Sequence, residues 1–252
     1  ERVLTALSRR VPDRVPRTMS LCPSQVERFR RETGAEHPAK HFGFEVRSVG
    51  PREVARHADF TRYLGPLPPD ARIDEWGIAW VRGSEYHFER MIHPLRDATG
   101  VRDVEEYPFP DLAAPERFVD LAARVQEVHD EGLAAVGSVT PVGGTVFWPA
   151  YKLRGMEALL MDLVAEPAFA EALLDRVTDI SAALAARLAT FDVDILWLAD
   201  DLGTQRALIV SRPSWRKWFM ERLRRVVEAA KSVNPRLLVA FHSDGKIDEI
   251  IP

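Results

Sequence analysis

The sequence predicts an α/β fold built on parallel strands, and three observations carry that prediction. Ile195-Leu196-Trp197-Leu198-Ala199 and Leu237-Leu238-Val239-Ala240-Phe241 are apolar runs without polar alternation, as strands covered on both faces require. Between them, from about Ser211 to Ser232, Trp215, Trp218, Phe219, Leu223, Val226, Val227 and Ala230 keep helical spacing, so strand, helix and strand form a βαβ unit. The same order recurs upstream with short connections, which points to an α/β barrel or an open doubly wound sheet.

In chain order, Glu1 to Arg10 reads as a short helix with Val3, Leu4 and Leu7 inward. Pro12 and Pro16 punctuate a turn, and Val15 to Leu21 is expected as a first strand. Ser24 is placed to cap a helix through Arg31 that stops at Gly34. From Ala35 to about Pro69 histidines, glycines and prolines break any period, so loops with short helices are expected. Asp74 to Trp80 reads as a turn entering a strand, with Arg82-Gly83-Ser84 turning it back towards Tyr86-His87-Phe88. Pro115 suits the first position of a helix that runs to Gly132. Ala134 to Val139 is a short strand, followed by the glycine-bearing loop Thr140 to Thr145. Helices over Arg154–Val164 and Pro167–Ala189 then lead into the βαβ unit.

The 252 residues, 46% hydrophobic and 29% charged, suit one domain spanning the whole chain. A net charge of -4 offers no bulk attraction to nucleic acid or to an anionic membrane. The basic residues from Arg212 to Arg225 fall mostly opposite the apolar stripe of their helix, as a solvated face does. A single cysteine excludes an internal disulfide and a thiolate-rich zinc site. With no signal peptide and no run long enough to span a bilayer, a cytoplasmic setting is expected. The chain begins at Glu1 and stops at Pro252, and both ends look cut. No dinucleotide fingerprint, P-loop or nucleophile elbow follows any strand.

The candidate chemistry lies where parallel strands end. Asp200 and Asp201 end an apolar strand near Gln205. Two adjacent carboxylates repel each other, which raises the proton affinity of one and suits acid/base work. The plainer reading has one of them capping the turn and the other solvated. His242 and Asp244 lie two apart on a strand end, so they leave the same face. They are expected to orient each other, share a proton or ligate a divalent metal. Gly143 and Gly144 let a small-molecule substrate approach backbone closely, or simply serve a tight turn. Trp76, Trp80, Trp148 and Tyr151 are candidates for an apolar wall. His37 and His41 have ligand spacing, but Pro38 between them disfavours the helix that spacing needs.

Six stretches together are distinctive: Glu1-Arg2-Val3-Leu4, Val11-Pro12-Asp13-Arg14-Val15-Pro16, Asp74-Glu75-Trp76-Gly77, Leu153-Arg154-Gly155-Met156-Glu157, Asp200-Asp201-Leu202-Gly203-Thr204-Gln205 and Phe241-His242-Ser243-Asp244-Gly245. They resemble the uroporphyrinogen decarboxylase-like superfamily, which holds the decarboxylase of haem biosynthesis and methyltransferases that exchange methyl groups with corrinoid proteins or coenzyme M. The resemblance implies a TIM (β/α)8 barrel, here truncated after about five strands. Such a part of a barrel exposes apolar strand edges, so a further segment or a partner chain, as in a homodimer, is expected to complete the sheet.

Departures from the family pattern select between branches. The arginine-rich motif of the decarboxylases is replaced by Met19-Ser20-Leu21-Cys22-Pro23-Ser24-Gln25, which removes the cations that a polycarboxylate substrate needs. Tyr151 falls where the decarboxylases place an active-site tyrosine. His242 matches the histidine of the methyltransferases' His-x-Cys zinc motif, while Asp244 replaces its cysteine. The resemblance thus implies methyl transfer between a small substrate and a corrinoid or other carrier, with zinc or another divalent metal at His242 and Asp244 and the corrinoid on a partner protein. Cofactor-free decarboxylation of uroporphyrinogen and non-catalytic binding of a tetrapyrrole or small ligand are the alternatives. Asp200, Asp201, His242, Asp244 and Tyr151 would act on the substrate, and Trp76, Trp148, Gln205, Gly143 and Gly144 would surround it.

Overall fold

A computed structural model describes residues 1–54, 58–83 and 89–251. Helices α1 (Arg2–Leu7), α2 (Pro23–Thr33) and α3 (Pro38–His41) precede strand β1 (Val46–Val49). Helix α4 (Thr61–Leu64), strands β2 (Arg72–Ile73), β3 (Ala79–Arg82) and β4 (Glu89–Ile92) and helix α5 (Val101–Glu105) follow. After a 3-10 turn at Pro115–Phe118 come α6 (Leu121–Asp130), β5 (Ala134–Val139), α7 (Phe147–Arg154), α8 (Met156–Ala165) and α9 (Pro167–Ala189). The chain then runs through β6 (Ile195–Ala199), α10 (Arg212–Trp215), a π-helical turn (Arg216–Met220), α11 (Glu221–Val233) and β7 (Leu238–His242). No helix among the described residues is long and apolar enough to cross a membrane.

Four strands form one parallel sheet in the order β1-β5-β6-β7, an open TIM-barrel-like arc. Its convex face carries the main core, where Leu196, Leu198, Leu173, Leu188 and Val226 are all buried under α9 and α11. Gly137 in β5 lies in contact distance of the Leu188 side chain, so the long helix sits close on the strand. The concave face is closed at the N-terminal ends of the strands by Val3 of α1, which packs with Ala134, Val136 and Ile195 and against Val46, Leu238 and Ala240. The C-terminal ends are left for loops.

The stretch expected as the first strand, Val15 to Leu21, is extended coil instead. Pro12 and Pro16 donate no N–H, and the Arg17 N–H binds the Glu45 carboxylate at 2.6 Å rather than a ladder carbonyl. The arc therefore starts with β1, inside the stretch read as loops, and has four parallel strands rather than about five. Cys22, not Ser24, is the N-cap of α2, because Pro23 takes the first helical position. Pro38 likewise opens α3, so proline starts the short helix that it was expected to forbid. Gly155, at φ 97°, splits the region after β5 into α7 and α8, and Arg154 ends the first of them.

The excursion between β1 and β5 is a three-stranded antiparallel sheet, β2-β3-β4. The expected return at Tyr86, His87 and Phe88 lies outside the described residues. Arg154 fastens the segment after this sheet to the barrel. Its Nε meets Asp162 at 2.8 Å, and its Nη1 donates to the carbonyls of Leu95, Arg96 and Ala98. Replacing it, as in Arg154→Met, leaves buried Asp162 charged and unpaired. A loss of about 3–5 kcal/mol is expected, read as a lower urea midpoint at unchanged slope.

Candidate functional site at the strand ends

Thr145 ties the loop after β5 to β6. It is fully buried; its hydroxyl donates to Val139 O at 2.8 Å and accepts from Ala199 N at 3.0 Å, and its carbonyl accepts from Ser181. Its N–H donates to Ala199 O at 2.7 Å. One residue on, the Asp200 carboxylate accepts N–H groups of Val146 at 2.8 Å, Trp148 at 2.9 Å and Thr145 at 3.3 Å, at the start of α7. Burial pushes this carboxyl up to about 6, and the N–H bonds oppose the rise.

Asp201 turns the other way, as successive strand residues do. Its Oδ1 accepts the Asp244 N–H at 2.8 Å and lies 3.8 Å from His242 Nε2. The expectation of two carboxylates repelling one another is thereby corrected: burial, not Asp201, raises Asp200. His242 Nε2 is also 3.5 Å from Asp244 Oδ1, and one ligand atom from each of the three side chains falls within 4.8 Å of the others. The His242 ring stacks on Trp197, with centroids 5.9 Å apart and an interplanar angle of 21°. Trp197 was read as a core strand residue, yet it is 38% exposed.

Two glycines set this convergence. A Cβ on Gly203 would press on the backbone of Gly245 and Lys246, and one on Gly245, at φ +79°, would collide with the Gly203 carbonyl. The loops after β6 and β7 therefore touch backbone to backbone. Lys246 N donates to Thr204 O at 2.7 Å, and Leu202 N to Ser243 Oγ at 3.0 Å. Gln205 lies exposed in the loop closed by the Gly203–Leu208 bridge.

Helix α7 supplies the wall. Trp148 and Tyr151 pack edge to face at 5.4 Å. Burial and the Asp201 charge both raise the Tyr151 pKa, which keeps its hydroxyl a donor. Gly144 serves this packing rather than a ligand, since a Cβ there would strike Trp148 and Asp200. Gly143, at φ +94°, borders Trp148 and Lys152. Trp76, expected on the wall, lies in the core at 1% exposure against Phe109. Trp80 of β3, the other tryptophan expected there, does border Trp148, with Lys152 Nζ 5.1 Å from its ring and 4.6 Å from that of Trp148. Lys152 and Asp74 were not singled out, although Trp148 and Lys152 have the i,i+4 spacing that places side chains together on a helix.

The His242, Asp201 and Asp244 set has the donor types for a small divalent cation, with its three ligand atoms within 4.8 Å of one another. Bonds of about 2.0–2.1 Å in a tetrahedron put ligand atoms about 3.4 Å apart, close to the 3.5 and 3.8 Å found from His242 to its two carboxylates. The donors are one nitrogen and carboxylate oxygens, a harder set than thiolates.

Two substitutions test this frame. In Asp200→Asn an amide NH2 faces backbone donors, and a stability loss of about 1–3 kcal/mol is expected, with a changed near-ultraviolet dichroism from Trp148 and Tyr151. In Gly245→Ala the left-handed backbone and the loop contact are both strained, so a loss above about 1 kcal/mol is expected in the same denaturation measurement.

Comparison with known proteins bears on the fold and the family. A structure of a methyltransferase from Methanosarcina mazei superposes with a TM-score of 0.59 at 18% identity, over 99% of this chain and 70% of that chain. At that identity the likeness speaks for the fold alone. No curated protein matches. The family model for uroporphyrinogen decarboxylase (URO-D) matches residues 73–252, a span that includes β5, β6, β7 and every polar residue gathered at their ends. By that match over most of its length, the chain belongs to the uroporphyrinogen decarboxylase family.

Proposed function

We propose that the strand ends form the mouth of a methyl-transferring enzyme in which Asp201, His242 and Asp244 hold one divalent cation. The convergence of these three side chains supports it most directly, and the methyltransferase likeness is in keeping with it at the level of fold. A cation held there supplies Lewis acidity, making a hydroxyl or thiol of a bound small substrate more acidic.

The chain's own residues do the positioning. Trp197 stacks on the imidazole of His242 and limits its rotation. The Asp244 N–H orients the Asp201 carboxylate. Tyr151, held protonated by burial and by Asp201, offers a hydroxyl donor to the substrate. Asp200 keeps its carboxylate on the backbone of α7 and so acts through Trp148 and Tyr151 rather than on substrate. A corrinoid carried by a partner protein is the proposed methyl carrier. The departure from arginine at Met19 to Gln25 weighs against a polycarboxylate porphyrinogen as substrate.

The test is elemental mass spectrometry of the full chain after incubation with zinc and exhaustive dialysis. One ion per chain is expected, with at least a tenfold weaker hold in His242→Ala and Asp201→Asn, the usual scale for losing one ligand or its support. A chain that keeps no ion, or keeps it in both variants, removes the metal reading. Methyl transfer is followed from methylcobalamin to small thiols and alcohols. No transfer, together with anaerobic release of carbon dioxide from uroporphyrinogen, moves the function to decarboxylation.

A further inference from the structure

Beside the His242 cluster, across Trp148 and Tyr151, lies a cation that the proposed chemistry does not use. Lys152 is 6% exposed. A buried ammonium costs several kcal/mol unless it is paired, so a lysine kept in the interior for structure normally meets a carboxylate. Lys152 instead donates to a neutral group, the Val142 carbonyl, at 2.6 Å. Among the described residues the indoles of Trp80 and Trp148 also lie against it. Burial lowers the Lys152 pKa, and among the described residues Asp74 is the charged group that opposes this, but the Asp74 carboxylate already accepts from Trp76 N at 2.9 Å, Ile78 N at 3.0 Å and Trp80 Nε1 at 2.7 Å.

The carbonyl that receives Lys152 is itself unusual. Val142 has φ 44° and ψ 34°, the left-handed region, which a β-branched residue adopts only under strain. A strained loop thus presents one neutral oxygen to a buried charge. Gly143, at φ +94°, and Gly144 follow it and give the loop backbone freedom next to the ammonium.

We propose that Lys152 recognises a carboxylate on the small-molecule ligand of this site, and that the Val142 carbonyl holds its place when no ligand is bound. The ammonium has three donors, so a carboxylate can take one or two of them in a charge-assisted bond stronger than the one to the carbonyl. Trp80 and Trp148 flank the position and would cover the apolar part of such an acid. Asp74 stays on its own N–H groups, fixing Trp80 Nε1 and hence the indole that borders Lys152. The assignment rests on the strand ends being the reaction site, and not on which group is transferred there.

The probe is propionate, with propionamide as its neutral counterpart, titrated against the full chain by tryptophan fluorescence. Trp148→Phe identifies the reporting indole. Saturable binding of propionate is expected, about ten- to a hundredfold tighter than that of propionamide, the range for one hydrogen bond to a charged group. Lys152→Met should remove that preference and leave propionamide unaffected. Equal binding of the two probes, or a preference kept in a folded Lys152→Met, overturns the proposal.

A second measurement needs no variant. Acylation of Lys152 by acetic anhydride, followed by peptide mass spectrometry, should slow in propionate and not in propionamide. Absence of protection counts against the assignment even if Lys152→Met does not fold. Neither probe carries a methyl on a sulfur, nitrogen, oxygen or cobalt atom from which it could be transferred, so failure here leaves the proposed methyl transfer standing, and failure of methyl transfer leaves carboxylate recognition standing.

Discussion

The arrangement of the strand ends depends on one buried contact, the Asp200 carboxylate on the backbone N–H groups that open α7. A helix start leaves N–H groups without intrahelical partners, and here a neighbouring strand provides the acceptor. The bond fixes α7 to the end of β6, and with α7 come Trp148, Tyr151 and Lys152. Because adjacent strand residues face opposite ways, committing Asp200 to the helix also commits Asp201 to the side of His242 and Asp244. The buried member of the acid pair is thus bound to backbone, and the more exposed one lies with His242 and Asp244.

Much of the sheet was legible because burial leaves a clear imprint on composition. Strand β6 has the bounds that its unbroken apolar run suggests, and β5 those expected for Ala134 to Val139 despite Ser138 within it. Strand β1 was not legible, since Arg47 and Ser48 interrupt its short run at one margin of the arc. The segment Val15 to Leu21 looked like a strand by composition, but a carboxylate from Glu45 took over the N–H that a ladder would use. Local composition does not reveal that kind of distant side-chain substitution.

The site was legible in part for a similar reason. His242 and Asp244 share a face by strand periodicity alone, and the structure adds Asp201 to them. Trp76 and Trp80 look alike in sequence, yet the turn at Gly77 (φ 76°) sends the first into the core and the second towards Lys152. Which of two tryptophans faces a site is decided by tertiary packing, here by the close fit of Gly77 against Phe60 and Tyr107. The strand ends thus carry two electrostatic settings. The cluster around His242 is partly solvated, whereas Lys152 and Asp74 sit in a drier setting where a charge acts more strongly.

The contact of Gly203 with Gly245 has a mechanical consequence. Gly203 and Gly245 meet with no side chain between them, and Ser243 Oγ and the Asp201 carboxylate tie the same two loops through Leu202 N and Asp244 N, so the ends of β6 and β7 are coupled at several points. Asp201 and Asp244, one on each loop, are thereby held to one another rather than placed independently about His242.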